Sequence, residues 1–251
     1  MGKLDGRSVI ITGGGKGLGK AYAVAAAADG ARVTVADVVP TDATVNEIIS
    51  AGGEAVGLYC DVSDSRSVEA LVAETVARFG GVQGLVNNAA LFAELPVGPL
   101  EEIPSETWDR VLSVNVRGSF ECIRAVLPHM RRQGYGKIVN VCSGVVWLGT
   151  PHMLAYCTSK GAVLAMTRSA ARELGGEGIR VNAIAPGLTE SDGVKEHPWQ
   201  LQFKDQAVAG QSLQRLEQPG DLTGTVKFLL SADSDFMTGQ TLVCDGGGVM
   251  H

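Results

Sequence analysis

Apolar residues along the chain gather into short β-rich runs separated by longer stretches of helical period. The runs are "SVIIT" (8–12), "RVTVAD" (32–37), "EAVGLYC" (54–60), "GLVNNA" (84–89), "KIVNVCS" (137–143), "IRVNAIA" (179–185) and "TLVCDGG" (241–247). Helical patterns fall near 18–29, 41–51, 65–79, 105–132, 153–175 and 219–231. Several runs are almost continuously apolar, as strands are when helices cover both faces of a parallel sheet. Strict β–α alternation with right-handed crossovers predicts an α/β fold: a doubly wound parallel sheet of about seven strands. No repeat or Pro/Ser linker divides residues 1–251, so one domain is expected. The stretch 187–212 lacks a clear pattern, and a long insertion of that kind in a compact fold is expected to be a lid or binding loop.

Composition narrows the partners. Of 251 residues, 45% are hydrophobic and 19% charged, the balance of a folded globular protein. The net charge of −6 argues against nucleic acid or an anionic membrane as partner. Five scattered cysteines without a C-x-x-C, and four dispersed histidines, suggest neither a disulfide framework nor a metal site. No apolar leader-like run and no stretch of 18 apolar residues appears, so a cytoplasmic protein is expected. The 33 glycines, about 13% against a usual 7% or so, point to tight turns and close backbone approaches.

One such approach lies between the first strand and an Ala-rich helix. No register there satisfies G-x-G-x-x-G; the turn reads instead T-G-x-x-x-G-x-G, with Thr12, Gly13, Gly17 and Gly19, and Leu18 between the last two. Glycines in a strand–turn–helix context let backbone N–H groups and a helix N-terminus meet a pyrophosphate. Asp37, closing the second strand, suits the ribose hydroxyls of NAD and repels the 2′-phosphate of NADP. Lys16 is a contrary hint, but Val38 and Val39 supply no cation after Asp37, so NAD is preferred over NADP.

At the other end of the chain, Tyr156 and Lys160 stand four residues apart on one helix face. With "TGGGKGLG", Asp37, "CDV" (60–62), "NNAA" (87–90), Asn115, Ser143 and "PG" (186–187), they occur in the order seen in short-chain dehydrogenases/reductases. The chain resembles that family over nearly its whole length. The resemblance implies a Rossmann fold, with Tyr156 as acid/base, Lys160 as its activator and ribose anchor, and Ser143 as binder of the substrate oxygen. It gives Asn115 a helix bend and a water leading to Lys160. Asp61 and Val62 would meet the adenine, Asn88, Ala89 and Ala90 would line the cofactor channel, and Pro186, Gly187 and Thr189 would complete it. Ala90 departs from the usual glycine of N-N-A-G. A homotetramer is also implied.

The chemistry supports these roles. A Tyr phenol titrates near 10 and is a poor base at neutral pH. A Lys ammonium about 4 Å away is worth on the order of 4 kcal/mol at an effective dielectric of about 20, or up to roughly three pKa units before desolvation. Phe92, Val145, Trp147, Trp199 and Phe203 are expected around the substrate, with no Arg or Lys cluster among their neighbours. "VVWLG" and the C-terminal run resemble the phenylethanol dehydrogenase branch. The expected reaction is therefore interconversion of a neutral secondary alcohol, aromatic or alicyclic, and its ketone. The alternative is a 3-oxoacyl-(acyl carrier protein) reductase, which Asp37 disfavours.

Overall fold

The computed structural model describes residues 2–196 and 203–250. Seven parallel strands form one sheet in the order β3-β2-β1-β4-β5-β6-β7. They are β1 (Ser8–Thr12), β2 (Arg32–Asp37), β3 (Glu54–Tyr59), β4 (Gly84–Asn87), β5 (Gly136–Val141), β6 (Ile179–Pro186) and β7 (Thr241–Cys244). Each expected strand is present, and several end earlier than the apolar runs do, because the chain turns into the loops that carry polar residues.

Alternation along β1 shows why its run is wholly apolar. Val9 and Ile11 face a core shared with helices α1 (Gly17–Ala28), α2 (Asp42–Ser50) and α10 (Pro219–Leu230). Ile10 faces the opposite core, shared with α3 (Ser65–Phe79), α5 (Gly118–Gln133) and α7 (Leu154–Leu174). Successive strand residues point to opposite faces, so both parities must be apolar when both faces are covered.

The helical pattern over 105–132 resolves into three parts: α4 (Ser105–Leu112), a π-helical turn (Ser113–Arg117) and α5. Apolar periodicity alone cannot reveal that extra-wide turn, which re-aims the side chain of Asn115. The long irregular stretch after β6 includes α8 (Asp192–Glu196) and α9 (Lys204–Ala209), with Thr189 bridged in parallel to Glu217. A short helix, α6 (Val145–Leu148), also follows β5.

A buried polar ladder crosses the sheet. Asn87 Nδ2 donates to Asn140 Oδ1 (2.9 Å), its register partner on β5, and Asn140 Nδ2 donates to Thr167 Oγ1 on α7 (2.9 Å). These bonds fix β4, β5 and α7 in one registration, since slipping any of them would strand buried amides. All five cysteines are unpaired, and no helix among the described residues is long and apolar enough to cross a membrane.

Ile11, fully buried at the centre of the sheet, gives a direct test of this core. Ile11→Ala should lower unfolding free energy by about 2–5 kcal/mol, read as a lower urea midpoint at unchanged slope.

Candidate active site

The carboxyl ends of β1 and β4 meet where the sheet reverses its winding, the crevice in which doubly wound folds bind ligands. Thr12 Oγ1 accepts from the N–H groups of Asn88 and Ala89 (both 3.1 Å) and donates to the Val86 carbonyl (3.3 Å). Asn88 Nδ2 donates to the carbonyls of Thr12 (3.0 Å) and Gly13 (3.1 Å). These bonds clamp the glycine turn to the end of β4. A Cβ on Gly19 would stand 2.0 Å from the Gly13 carbonyl oxygen, and one on Gly13 would lie 2.9 Å from Ala89 Cα. Only glycine fits either place; Gly13 (φ 65°) and Gly17 (φ 58°) also adopt left-handed backbone.

The turn is suited to an anion. The N–H of Gly17, which begins α1, donates to the carboxylate Oδ2 of Asp192 at 3.1 Å. An anionic oxygen therefore already sits at this helix N-terminus, where the helix dipole favours negative charge. Asp37 lies beside the same turn, its carboxylate accepting from the N–H groups of Gly15 (2.9 Å) and Val39 (3.2 Å). Lys16 forms an ion pair with Glu196. The glycine cradle, its anion-accepting N–H and the carboxylate at the end of β2 fit a dinucleotide.

The other expected cofactor residues are placed as follows. Thr12 is buried and its hydroxyl is consumed in the clamp. The Val62 side chain is buried in the core against Gly118, where a Cβ would meet it at 2.6 Å; only its backbone can face a ligand. Leu18 likewise packs its side chain on the core. Asp61 Oδ1 accepts from the Ser63 N–H (2.9 Å) and hydroxyl (2.6 Å). Ala90 is half-buried in the loop after β4. The Thr189 hydroxyl donates to Glu217 (2.8 Å), and Pro186 closes β6.

Ser143, Tyr156 and Lys160 converge just beyond β5, all nearly buried. Lys160 Nζ donates to the Val141 carbonyl at 2.7 Å and lies 5.6 Å from the centroid of the Tyr156 ring. Burial pushes the Tyr156 phenol far above its ordinary range, while a hydrogen bond with Ser143 acts against that shift. Burial also brings the Lys160 ammonium down to about 8. The expected Lys-driven lowering of Tyr156 is therefore not what this geometry produces. Both groups are desolvated, and desolvation favours the neutral form of each.

Asn115 is buried within the π turn. Its Oδ1 accepts from the Leu91 N–H (2.8 Å), and its Nδ2 donates to the Leu91 carbonyl (3.2 Å) and Ser159 Oγ (3.0 Å). Ser159 in turn donates to the Tyr156 carbonyl (2.7 Å). The side chain is thus a brace between the loop after β4 and the first turn of α7. Its own carbonyl accepts from the Ser119 hydroxyl (3.0 Å).

A cavity of about 100 Å³ opens beside Tyr156, walled by Leu95, Pro96, Val97, Pro99, Ile103 and Pro104 on one strap and by His152–Ala155 on the other side. Its polar lining residues besides Tyr156 are Glu102, Thr107 and His152; it contains no Arg or Lys. His152 adopts a left-handed backbone (φ 63°), uncommon for a residue bearing a side chain, and its carbonyl accepts from the Gly98 N–H (3.3 Å). Sequence patterning missed this wall because the strap has no regular period. The Phe92 ring lies 4.8 Å from that of Tyr156. Val145, Trp147 and Phe203 do not line the cavity, and Trp199 lies outside the described residues.

Lys160 carries a test of this electrostatic picture. Its folded pKa is lower than its unfolded one, so between about 8 and 10.5 the unfolded chain binds the extra proton and stability rises with pH. Relative to Lys160→Met, the parent should gain on the order of 2–3 kcal/mol of unfolding free energy between pH 7 and 10, measured by urea titration.

Comparison with known proteins places this architecture. A family model described as enoyl-(acyl carrier protein) reductase matches residues 13–248. The short-chain reductase protein NovJ of Streptomyces niveus is 39% identical over 95% of this chain and 92% of its own. The 3-oxoacyl-[acyl-carrier-protein] reductase FabG of Staphylococcus aureus is 35% identical over 97% of this chain and 98% of its own. The crystal structure of an NAD+-bound xylitol dehydrogenase superposes with a TM-score of 0.90 at 33% identity, covering 98% of this chain and 100% of that one. With its parallel sheet, glycine turn and Ser–Tyr–Lys grouping, the chain belongs to the short-chain dehydrogenase/reductase family.

Proposed function

We propose that this oxidoreductase interconverts a neutral secondary alcohol, aromatic or alicyclic, and its ketone, with NAD as hydride carrier. The observation that carries the reading is the apolar cavity opening on Tyr156. Its lining offers no cation for a substrate phosphate, a carboxylate or a phosphopantetheine arm. That favours a neutral alcohol of the phenylethanol dehydrogenase type over an acyl carrier protein thioester.

Asp37 supports NAD, since its carboxylate stands beside the glycine turn while Lys16 is held by Glu196. The glycine turn would hold the pyrophosphate, Asp37 the ribose, and Lys160 the second ribose. A nicotinamide held there would supply the acceptor or donor of the hydride. Ser143 Oγ donates to the substrate oxygen and orients it, and Tyr156, having first lost its proton to solvent, accepts the hydroxyl proton on its phenolate Oη as the carbonyl forms. Lys160, about one helical turn away, stabilises the phenolate while it remains charged. The segment 187–212 acts as a substrate lid, and the enzyme works as a cytoplasmic homotetramer.

Three outcomes test the reading. Tyr156→Phe should fold and bind NAD with unchanged affinity, yet lose at least about a hundredfold in kcat for alcohol oxidation followed by NADH absorbance. Parent enzyme screened against phenylethanol-type and alicyclic alcohols and against a 3-oxoacyl thioester should turn over the alcohols; a preference for the thioester overturns the substrate class. Asp37→Ala should lower the NAD:NADP ratio of kcat/KM by at least about tenfold, because the charge excluding a 2′-phosphate is gone.

A further inference from the structure

Glu217 lies outside the Ser–Tyr–Lys group and the glycine turn, yet it is buried and grips the segment leaving β6. Its Oε2 accepts from the Gly187 N–H at 2.9 Å and from the Thr189 hydroxyl at 2.8 Å. Its backbone pairs with Thr189 in an isolated parallel bridge, and its carbonyl accepts from the Glu190 N–H at 2.9 Å. One residue thereby fixes Gly187, Thr189 and Glu190. The fit is close: a Cβ on Gly187 would stand 3.0 Å from Asp245 Cβ and 3.5 Å from Glu217 Oε2.

We propose that Glu217 is a positioning residue, holding Pro186–Thr189 in the shape that receives the nicotinamide end of the dinucleotide. This rests on the reading of those residues as cofactor-facing. Glu217 touches no reacting atom and acts only through the segment it holds.

The same carboxyl makes the grip depend on pH. Burial pushes Glu217 up to about 7, against the opposing pull of its two donors. Asp221 of α10 and Asp245 beyond β7 add negative charge that raises it further. Arg215, Tyr22 of α1 and Cys244 of β7 also feel its charge. Arg215 is held by Asp221 through two hydrogen bonds of 2.6 and 2.7 Å. A carboxylate accepts hydrogen bonds more strongly than the neutral acid, so ionisation of Glu217 tightens the segment and protonation slackens it.

The test compares parent, Glu217→Gln and Glu217→Ala between pH 6 and 8. NAD affinity is measured by tryptophan fluorescence, and hydrogen exchange of residues 186–190 is measured without cofactor and corrected for intrinsic rates. The parent should bind NAD about threefold to tenfold more tightly at pH 8 than at pH 6, with matching exchange protection. Glu217→Gln, which can still present an oxygen to both donors, should fold and bind but lose that pH dependence. Glu217→Ala should bind about tenfold more weakly than the parent at pH 8, having lost both hydrogen bonds. Lys160, whose charge is lost near pH 8, is common to all three proteins and cancels in the comparison.

A parent that binds NAD while Glu217→Gln keeps its full pH dependence overturns the Glu217 assignment alone. So does an Ala variant with parental affinity and exchange. A parent that binds neither NAD nor NADP overturns the cofactor reading and this proposal with it. If the Ala variant does not fold, the Gln variant's pH profile still decides.

Discussion

The seam between β1 and β4 is the constraint on which the remainder of this molecule depends. Right-handed crossovers run outward from it in both directions, so all seven strands deliver their carboxyl ends to one side. The ladder between β1 and β4 sets the strand spacing, but the loops beyond the strand ends must be tied together separately. Thr12 and Asn88 do that, exchanging hydrogen bonds between the glycine turn and the end of β4. The clamp works only because Gly13 and Gly19 lack side chains that would force the two loops apart.

From that seam the structure builds outward through buried amides. Asn87 and Asn140 register β4 on β5 and β5 on α7, and Asn115 joins the loop after β4 to the turn that carries Tyr156. Asn115 and Asn140 are bonded through both their oxygen and their nitrogen and Asn87 through its nitrogen, so displacing one strands donors and acceptors that water cannot reach. A strand end, a π turn and a helix start are thus held as one unit. Such rigidity suits chemistry in which reacting atoms must sit within a few tenths of an ångström of their places.

Electrostatics at the centre of the site follow from the same burial. Removing Tyr156 and Lys160 from water moves their pKa values apart, the phenol up and the ammonium down to about 8. Proton transfer from a substrate hydroxyl to Tyr156 therefore calls for added positive potential, and a dinucleotide fits that need as well as the hydride transfer. Glu217 contributes a charge of the other sign beside the loop after β6, and its grip on Gly187 and Thr189 couples that loop to the segment leading into α10.

Much of this was legible in the chain itself. Apolar runs at seven places, with both parities filled and helical patterns between them, point to a parallel sheet covered on both faces, because helical crossovers bring such strands together and hide their side chains. Thr12–Gly19, Asp37, Ser143, Tyr156 and Lys160 follow in the order seen in short-chain dehydrogenases/reductases, and their chemistry suits a dinucleotide and a buried acid/base. Tertiary structure decided what local pattern cannot encode. It turned Thr12 and Val62 inward, and it gave Asn115 to Leu91 and Ser159. It also built the cavity wall from the aperiodic strap 95–104 rather than from Val145, Trp147 or Phe203. Glu217 looks in sequence like any charged residue before a helix. It becomes a buried acid only because β6 and α10 close over it, and a burial made by contacts between distant segments leaves no periodic trace in either one.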